Sequence, residues 1–283
     1  MCGMTTNTFV ISDLVVEKIV AYIAADVQAH SDSRPLAIEV VAQTGSTNAD
    51  LMARLPCLTA PVCLVAEEQT AGRGRAGRSW LSEPGSALTF SLAWPFLQNP
   101  HALMGLPLAV GVALAQALAT LDVPVQLKWP NDVLKDGKKL AGVLIETATV
   151  GTTTWAVIGV GLNLRMPDAL EKKIGRPVAD APWLARMDRN RLLATLLVQI
   201  AATLEQFSVH GFAAFVEQWN RFHAHADKHV DIIDQGKIVQ QGITLGVNGS
   251  GCLLLQDERG IWPVMAGDVS LRSTHQDLLG LLT

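Results

Sequence analysis

Residues 69–94 read QTAGRGRAGRSWLSEPGSALTFSLAW, and the fold turns on the kind of element into which their glycines lead. Gly72, Gly74 and Gly77 satisfy G-x-G-x-x-G, the pattern that in a dinucleotide-binding fold leaves a strand and opens a helix whose N-terminus receives the pyrophosphate. A strand does precede them, VCLVAEE at 62–68, but the glycines run through a Glu83-Pro84-Gly85 turn into a second strand, ALTFSLAW at 87–94. The helix that a Rossmann turn requires is missing, so that reading fails on context. What remains is a loop carrying Arg73, Arg75 and Arg78. Its glycines let backbone N–H groups approach an anion, and guanidinium forks pair with carboxylate or phosphate. A solvated basic loop is the alternative, disfavoured because five of the six residues at 72–77 are glycine or arginine.

Outward from this loop, LAIEVVA (36–42), VQLKW (125–129), KKLAGVLIE (138–146) and TTWAVIGVGLNL (153–164) read as further strands. Helical spacing appears over 11–28, with Ser12 as a cap, over 47–55, and in two runs at 188–207 and 211–224. So few helices between so many strands do not make a βαβ repeat. They predict an α+β fold with a central mixed sheet and helices packed against it. Segment 165–183, with Pro167, Gly175, Pro177 and Pro182, reads as a long loop. Beyond His229 short strands alternate with turns, as in a small β-barrel. The expected division is 1–226 for the larger domain with a short N-terminal helix and 227–283 for the smaller.

The 283 residues are 49% hydrophobic and 17% charged, enough apolar material for a packed core. With 22 basic and 26 acidic residues the net charge is −4, which gives no general attraction to nucleic acid or an anionic membrane. Cys2, Cys57, Cys63 and Cys252 form no C-x-x-C pair and the N-terminus lacks a signal-peptide pattern, so a reduced, cytoplasmic protein is expected. Ala102–Leu121 is uncharged and long enough to span a bilayer, but Pro107, Gln116 and Thr120 interrupt it and strands flank it, so a buried core helix is expected. On one helix His223 and His225 would not share a face, and no carboxylate or cysteine completes a known metal set with them and His229.

The loop, together with GSTNADL (45–51), KWPNDVL (128–134), KKLAGVLIE, GVGLN (159–163) and GDVSLR (267–272), resembles the biotin protein ligases in order and spacing. The resemblance runs from about residue 38 to the end of the chain and is closest to the monofunctional type without an N-terminal DNA-binding domain. It implies a class II synthetase-like catalytic domain, an SH3-like C-terminal barrel, and ATP-dependent activation of biotin as biotinyl-5'-AMP. Transfer to a lysine of the biotin carboxyl carrier domain of a carboxylase would come next. Lys139 then matches the lysine that contacts the biotin carboxylate and the α-phosphate, and Arg73 lies over the forming anhydride. Biotin would be held by Ser46, Thr47, Asn48, Gln69, Gly72, Arg73, Arg75 and Lys139, with Gly142, Gly159 and Gly161 leaving room for its bicyclic ring. ATP would meet Arg75, Arg78, Trp80, Asn131, Lys139, Asn163, Trp183 and, from the small domain, Arg272. Asp132 would hold Mg²⁺.

The residues alone leave some of this open. Ser46 or Thr47 equally suits a helix cap before ADLMARL, Pro130-Asn131-Asp132 is a turn signal, Trp183 suits core packing, and Lys138–Lys139 suits an exposed turn. A lipoate ligase shares the two-step chemistry, and a noncatalytic biotin-binding module would need neither Lys139 nor the arginines. A biotin-responsive repressor needs a basic recognition helix, whereas Met1–Gln43 holds only Lys18 and Arg34 as strong bases. No nucleic-acid or membrane partner is expected, and a homodimer is left open.

Overall fold

The computed structural model describes residues 13–27, 35–234, 237–265 and 270–273; Ser12, Gly267 and Asp268 lie outside them. In chain order the elements are α1 (Val16–Val27), β1 (Ala37–Thr44), α2 (Thr47–Arg54), β2 (Val62–Gln69), β3 (Ala87–Phe96), α3 (Leu106–Thr120), β4 (Gln126–Lys128), β5 (Asp132–Lys135), β6 (Lys138–Val150) and β7 (Thr153–Asn163). After these come α4 (Asp168–Ile174), α5 (Arg189–His210), α6 (Val216–Phe222), β8 (His229–Asp234), β9 (Lys237–Val247), β10 (Leu253–Asp257), β11 (Gly260–Val264) and β12 (Ser270–Ser273).

Seven strands form one sheet in the order β1-β2-β3-β7-β6-β5-β4. Only β1 and β2 run parallel, so the sheet is mixed as expected. Alternation along the strands sends side chains to two different covers. Cys63 and Val65 of β2 and Leu88, Phe90, Leu92 and Trp94 of β3 enter the large core that α3 and α5 complete. Val62, Leu64 and Ala93 point the other way, into a smaller cluster with Leu51 and Leu55 around α2. Because α2 covers only part of that second face, a stretch of sheet beside its N-terminus remains for a site.

The apolar run near residue 110 is the core helix: Leu108 to Ala115 of α3 are buried without a gap. Helix α5 begins at Asp188, whose carboxylate accepts the Asn190 N–H at 2.9 Å, and ends at Gly211, where φ is 62°. A buried ion pair, Arg189 Nη1 to Glu67 Oε2 at 2.5 Å, ties α5 to β2.

Three expectations change. The segment 165–183 holds helix α4, capped by Gly175 at φ 72°; its prolines and glycine bracket a short helix instead of a continuous loop. β5 was hidden inside KWPNDVL because it is only four residues long and starts directly after the cis Trp129–Pro130 turn. The C-terminal unit is an open antiparallel sheet, β11-β10-β9-β8-β12, and not a closed barrel: among the described residues its two outer strands, β11 and β12, do not pair with each other.

That second sheet is fastened to the first unit at the KWPND turn. Trp129 Nε1 donates to Gly251 O at 3.1 Å, Ala224 N to Leu127 O at 2.9 Å, and Val247 N to Asn220 Oδ1 at 3.0 Å. Gly251, with φ 80°, lies so close to Gly105 that a Cβ on it would stand 2.7 Å from the Gly105 Cα.

His223 sits at this seam, buried, its ring 4.6 Å from that of Trp219. Burial, aided by the charges of His225 and Lys228, lowers its pKa from 6.5 to about 4. Between these values the unfolded chain takes up a proton that the native protein refuses, so the contribution of His223 to stability is complete above pH 6.5 and fades as pH falls through 4. The shift corresponds to a loss on the order of 3 kcal/mol. Urea midpoints measured at pH 7 and 4.5 should therefore separate less in a His223→Phe variant than in the native protein.

Candidate active site

The floor of the site is a patch of small residues on the face beside α2. Three neighbouring strands place Thr89, Gly161 and Gly142 in one row and Ser91, Gly159 and Leu144 in the next. Because residues directly opposite each other share a face, the three glycines with Thr89 and Ser91 make a depression beside Leu144 in an otherwise packed sheet. The resulting slot keeps only about 40 Å³ free, because side chains reach into it from the sides.

The N-terminus of α2 closes one end of it. Ser46 caps the helix, accepting from Ala49 N at 3.4 Å, and also lines the slot, so its two readings coexist. Next to it runs a buried polar row. Gln69 Oε1 accepts from Thr47 N at 2.8 Å, and the Thr47 hydroxyl lies 3.0 Å from Gln69 Oε1 and 2.6 Å from the Ser91 hydroxyl. Ser91 Oγ donates to Asn48 Oδ1 at 2.5 Å, and Asn48 Nδ2 donates to Glu146 Oε2 at 2.9 Å. Polar groups at this depth need partners, and this row supplies them in sequence.

The room beside the glycines is taken by the protein's own side chains. A Cβ on Gly159 would stand 2.3 Å from Asn48 Oδ1, and one on Gly161 would stand 2.4 Å from the indole of Trp80. A Cβ on Gly142 would meet Lys139 Nζ at 2.7 Å. The glycines therefore let Asn48, Trp80 and Lys139 lie flat on the sheet. Gly72 serves the loop in the same way, its α-carbon pressed against the Trp80 carbonyl that a Cβ would meet at 2.4 Å.

The glycine-arginine loop folds back on itself, with Trp80 N donating to Gly72 O at 2.9 Å and Gly74 N to Arg78 O at 2.6 Å. Ala76 and Gly77 have φ of 52° and 71°; this explains the glycine, whereas Ala76 holds the left-handed conformation against the clash of its Cβ. The three arginines separate. Arg73 pairs with Glu146 at 2.9 Å, at the Asn48 end of the slot and away from Lys139. Arg75 reaches Asn131 Oδ1 at 3.3 Å, while Arg78 Nε donates back to Arg75 O at 3.2 Å.

A second crevice adjoins the slot, with Trp80 and Leu144 forming walls of both. Five cationic side chains line it, Arg75, Arg78, Lys128, Lys139 and Arg176, against a single carboxylate, Asp132. Lys139 Nζ lies 2.5 Å from Asp132 Oδ1, both about four-fifths buried, and 6.0 Å from the Trp80 ring centroid. The register explains the meeting: Asp132 opens β5 opposite Gly142, with Lys139 opposite Leu134 across a bulge. Asn131 is anchored by its amide to Val143 O at 2.7 Å. Such excess positive charge in a partly enclosed cleft attracts a polyanion.

Two expected residues stand outside both crevices. Asn163 is buried and donates to Ala179 O at 3.0 Å, pinning the segment after α4. Trp183 is 39% exposed at the start of a short 3-10 turn. The backbone of Arg272 lies on β12 opposite Asp231, and its side chain is outside the described residues. The sequence reading missed Glu146, Ser91, Thr89, Lys128 and Arg176. Glu146 had a signal: Gly142, Leu144 and Glu146 recur at period 2 on one strand.

Two family models match the chain, the biotin/lipoate A/B protein ligase family over residues 39–163 and the biotin protein ligase C-terminal domain over residues 225–272. The chain is 35% identical over 247 residues to the bifunctional ligase/repressor BirA of Escherichia coli K12, covering 84% of this chain and 75% of that protein. It is 32% identical over 242 residues to the biotin–[acetyl-CoA-carboxylase] ligase of Paracoccus denitrificans, covering 81% of this chain and 98% of the relative. The solved structure of the Aquifex aeolicus biotin protein ligase with biotin and ATP superposes with a TM-score of 0.69 at 30% identity, covering 84% of this chain and 99% of that one.

Gly159→Ala is expected to destabilise the protein by about 1–3 kcal/mol through the clash with buried Asn48. Gly45→Ala, where nothing lies within 4 Å of the added carbon, should change the urea midpoint far less.

Proposed function

The chain belongs to the biotin protein ligase family and is a biotin ligase, and from that premise we propose that it activates biotin with ATP as biotinyl-5'-AMP. It then transfers the biotinyl group to a lysine of the biotin carboxyl carrier domain of a carboxylase. The observation that carries this reading is the contact between a hydrogen-bonding slot, neutral but for Arg73 at its mouth, and a crevice with five cations, joined along Trp80 and Leu144. A neutral ureido ring suits the first and a triphosphate the second, so a carboxylate on the ring's tail would meet the α-phosphate where they join.

In the first step a biotin carboxylate oxygen attacks the α-phosphorus, the bond to the bridging oxygen of the β-phosphate breaks, and pyrophosphate leaves. Two anions must approach. Lys139, set on a strand and held by Asp132, supplies fixed positive charge at the junction, and Arg75 and Arg78 add charge from the loop. In the second step the carrier lysine's amine attacks the acyl carbon, AMP departs, and the amine loses a proton. The glycine-arginine loop over the slot limits water, which would hydrolyse the mixed anhydride.

The residues fit Mg²⁺ in the way that ion is bound beside nucleotides, through one carboxylate together with substrate phosphates. Asp132 would hold it, and its chemistry there would be to offset phosphate charge. Among the described residues no group of three or more His, Cys, Asp or Glu side chains offers a cage made by the protein alone. The larger domain, 1–226, would then hold both substrates, with Asn163 and Trp183 supporting the adenine side indirectly and 227–283 adding Arg272. The cytoplasm, where carboxylases and ATP meet, is the setting this reading implies.

Purified protein with ATP, Mg²⁺ and labelled biotin is expected to label a biotin carrier domain, with lipoate competing poorly. No transfer would sink the reading. Lys139→Gln is expected to lower biotin-dependent pyrophosphate exchange by about 10²–10³-fold, and full exchange in that variant would remove Lys139 from its role.

A further inference from the structure

Glu146 stands outside every motif position to which the ligase chemistry assigns a part, yet two site residues converge on one of its oxygens. Oε2 accepts from Asn48 Nδ2 at 2.9 Å and from Arg73 Nη2 at 2.9 Å. We propose that Glu146 is a positioning residue: a single carboxylate fixes the amide of Asn48 and the guanidinium of Arg73 together, setting the ring end of the slot and the glycine-arginine loop in one geometry. This deepens the biotin ligase reading and rests on it for the identity of the ligand.

Hydrogen-bond valence carries the first half. A carboxylate only accepts, so Asn48 must turn its Nδ2 toward Glu146 and its Oδ1 toward Ser91. Ser91 then spends its proton on Asn48 Oδ1, and the 2.6 Å contact with Thr47 must be filled by the Thr47 proton. Gln69 Oε1 closes the row by accepting the Thr47 N–H. The direction of every bond from Thr47 to Glu146 thus follows from the acceptors on the Asn48 amide, Glu146 Oε2 at 2.9 Å and, at a longer 3.4 Å, Leu144 O. In a buried row such ordering is cooperative. It leaves Asn48 Oδ1 a fixed acceptor against the Gly159 backbone, suited to an N–H of a cyclic urea. A neutral amide at position 146 would leave only the long contact to Leu144 O, 3.4 Å, to oppose an Asn48 flip and reversal of the row.

The second half is the loop. The Arg73 side chain is 45% exposed and that of Glu146 28%, so the ion pair adds little stability by itself. Its effect is one of place. Glu146 lies two residues beyond Leu144 on the slot face of β6. Arg73 is thereby drawn across the mouth of the slot at the Asn48 end, leaving Arg75 and Arg78 to the basic crevice.

The experiment compares the native protein with Glu146→Gln, Glu146→Asp, Arg73→Gln and the Glu146→Gln/Arg73→Gln double variant. Biotin-dependent pyrophosphate exchange gives KM for biotin, KM for ATP and kcat, and limited trypsin digestion without biotin reads exposure of the 73–78 loop. Glu146→Gln is expected to raise the biotin KM by about tenfold or more, leave the ATP KM within about twofold, and speed cleavage in the loop. Glu146→Asp should recover part of each change, and the double variant should fall well short of the sum of the singles. An unchanged biotin KM with unchanged loop cleavage overturns the proposal. So does a fall in kcat with both KM values rising together and a lowered urea midpoint, the mark of a merely structural residue. If the native protein shows no biotin-dependent exchange, the ligase reading fails by itself. Loop cleavage then still decides whether Glu146 holds the loop.

Discussion

The site depends on two places where the chain has no side chain. Gly159 and Gly161 occupy adjacent same-face positions of the central strand β7, and each lets another residue lie against the sheet at a distance no Cβ allows. Asn48 settles on the first and Trp80 on the second. The rest of the site is built on these two approaches: the polar row needs Asn48 at the sheet surface, and the glycine-arginine loop needs Trp80 as its buried end. The neighbouring Gly142 extends the same logic to Lys139. A sheet built for stability alone would fill this patch with branched side chains, as it does on the other face with Leu88, Phe90 and Leu92.

The two faces of the site differ in how they are made chemically selective. Apart from Arg73 at its mouth, the slot is lined by neutral groups whose bonds are already directed, so it discriminates by donor and acceptor pattern. The crevice relies on an imbalance of five cations against one carboxylate and would accept many phosphates. Trp80 stands between the two, with its indole on Gly161 and Lys139 near its ring. On the proposed reading, selectivity for the acid and capture of the nucleotide are separate tasks carried by different physics on opposite sides of one aromatic ring.

How much of this was legible in the sequence varied with the length and period of each signal. Long strands such as β3 and β7 announced themselves, and the missing helix after Gly77 rightly excluded a doubly wound sheet. β5 is four residues next to a turn, too short to register, and α4 was masked by the prolines and glycine that merely end it. The C-terminal strands were read, but the barrel expected of them is an open sheet, because whether outer strands pair leaves no mark on either strand alone. In the site, motifs identified the glycines, Lys139 and the arginines. Thr89 and Ser91 were overlooked because ALTFSLAW was read for its apolar half, and the polar half faces the slot. Asn163 and Trp183 belonged to quoted or adjoining segments, yet their side chains lie outside the two crevices.

The bond from Trp129 to Gly251 joins the residue just before Pro130-Asn131-Asp132 to a turn of the C-terminal sheet. The geometry around Asp132 is accordingly not the property of one unit. Grafting a C-terminal sheet from a relative onto this chain would alter the nucleotide side of the site through that seam, even if every motif residue were kept. At that seam a side chain at 251 would collide with the backbone of Gly105, so the two units meet main chain to main chain.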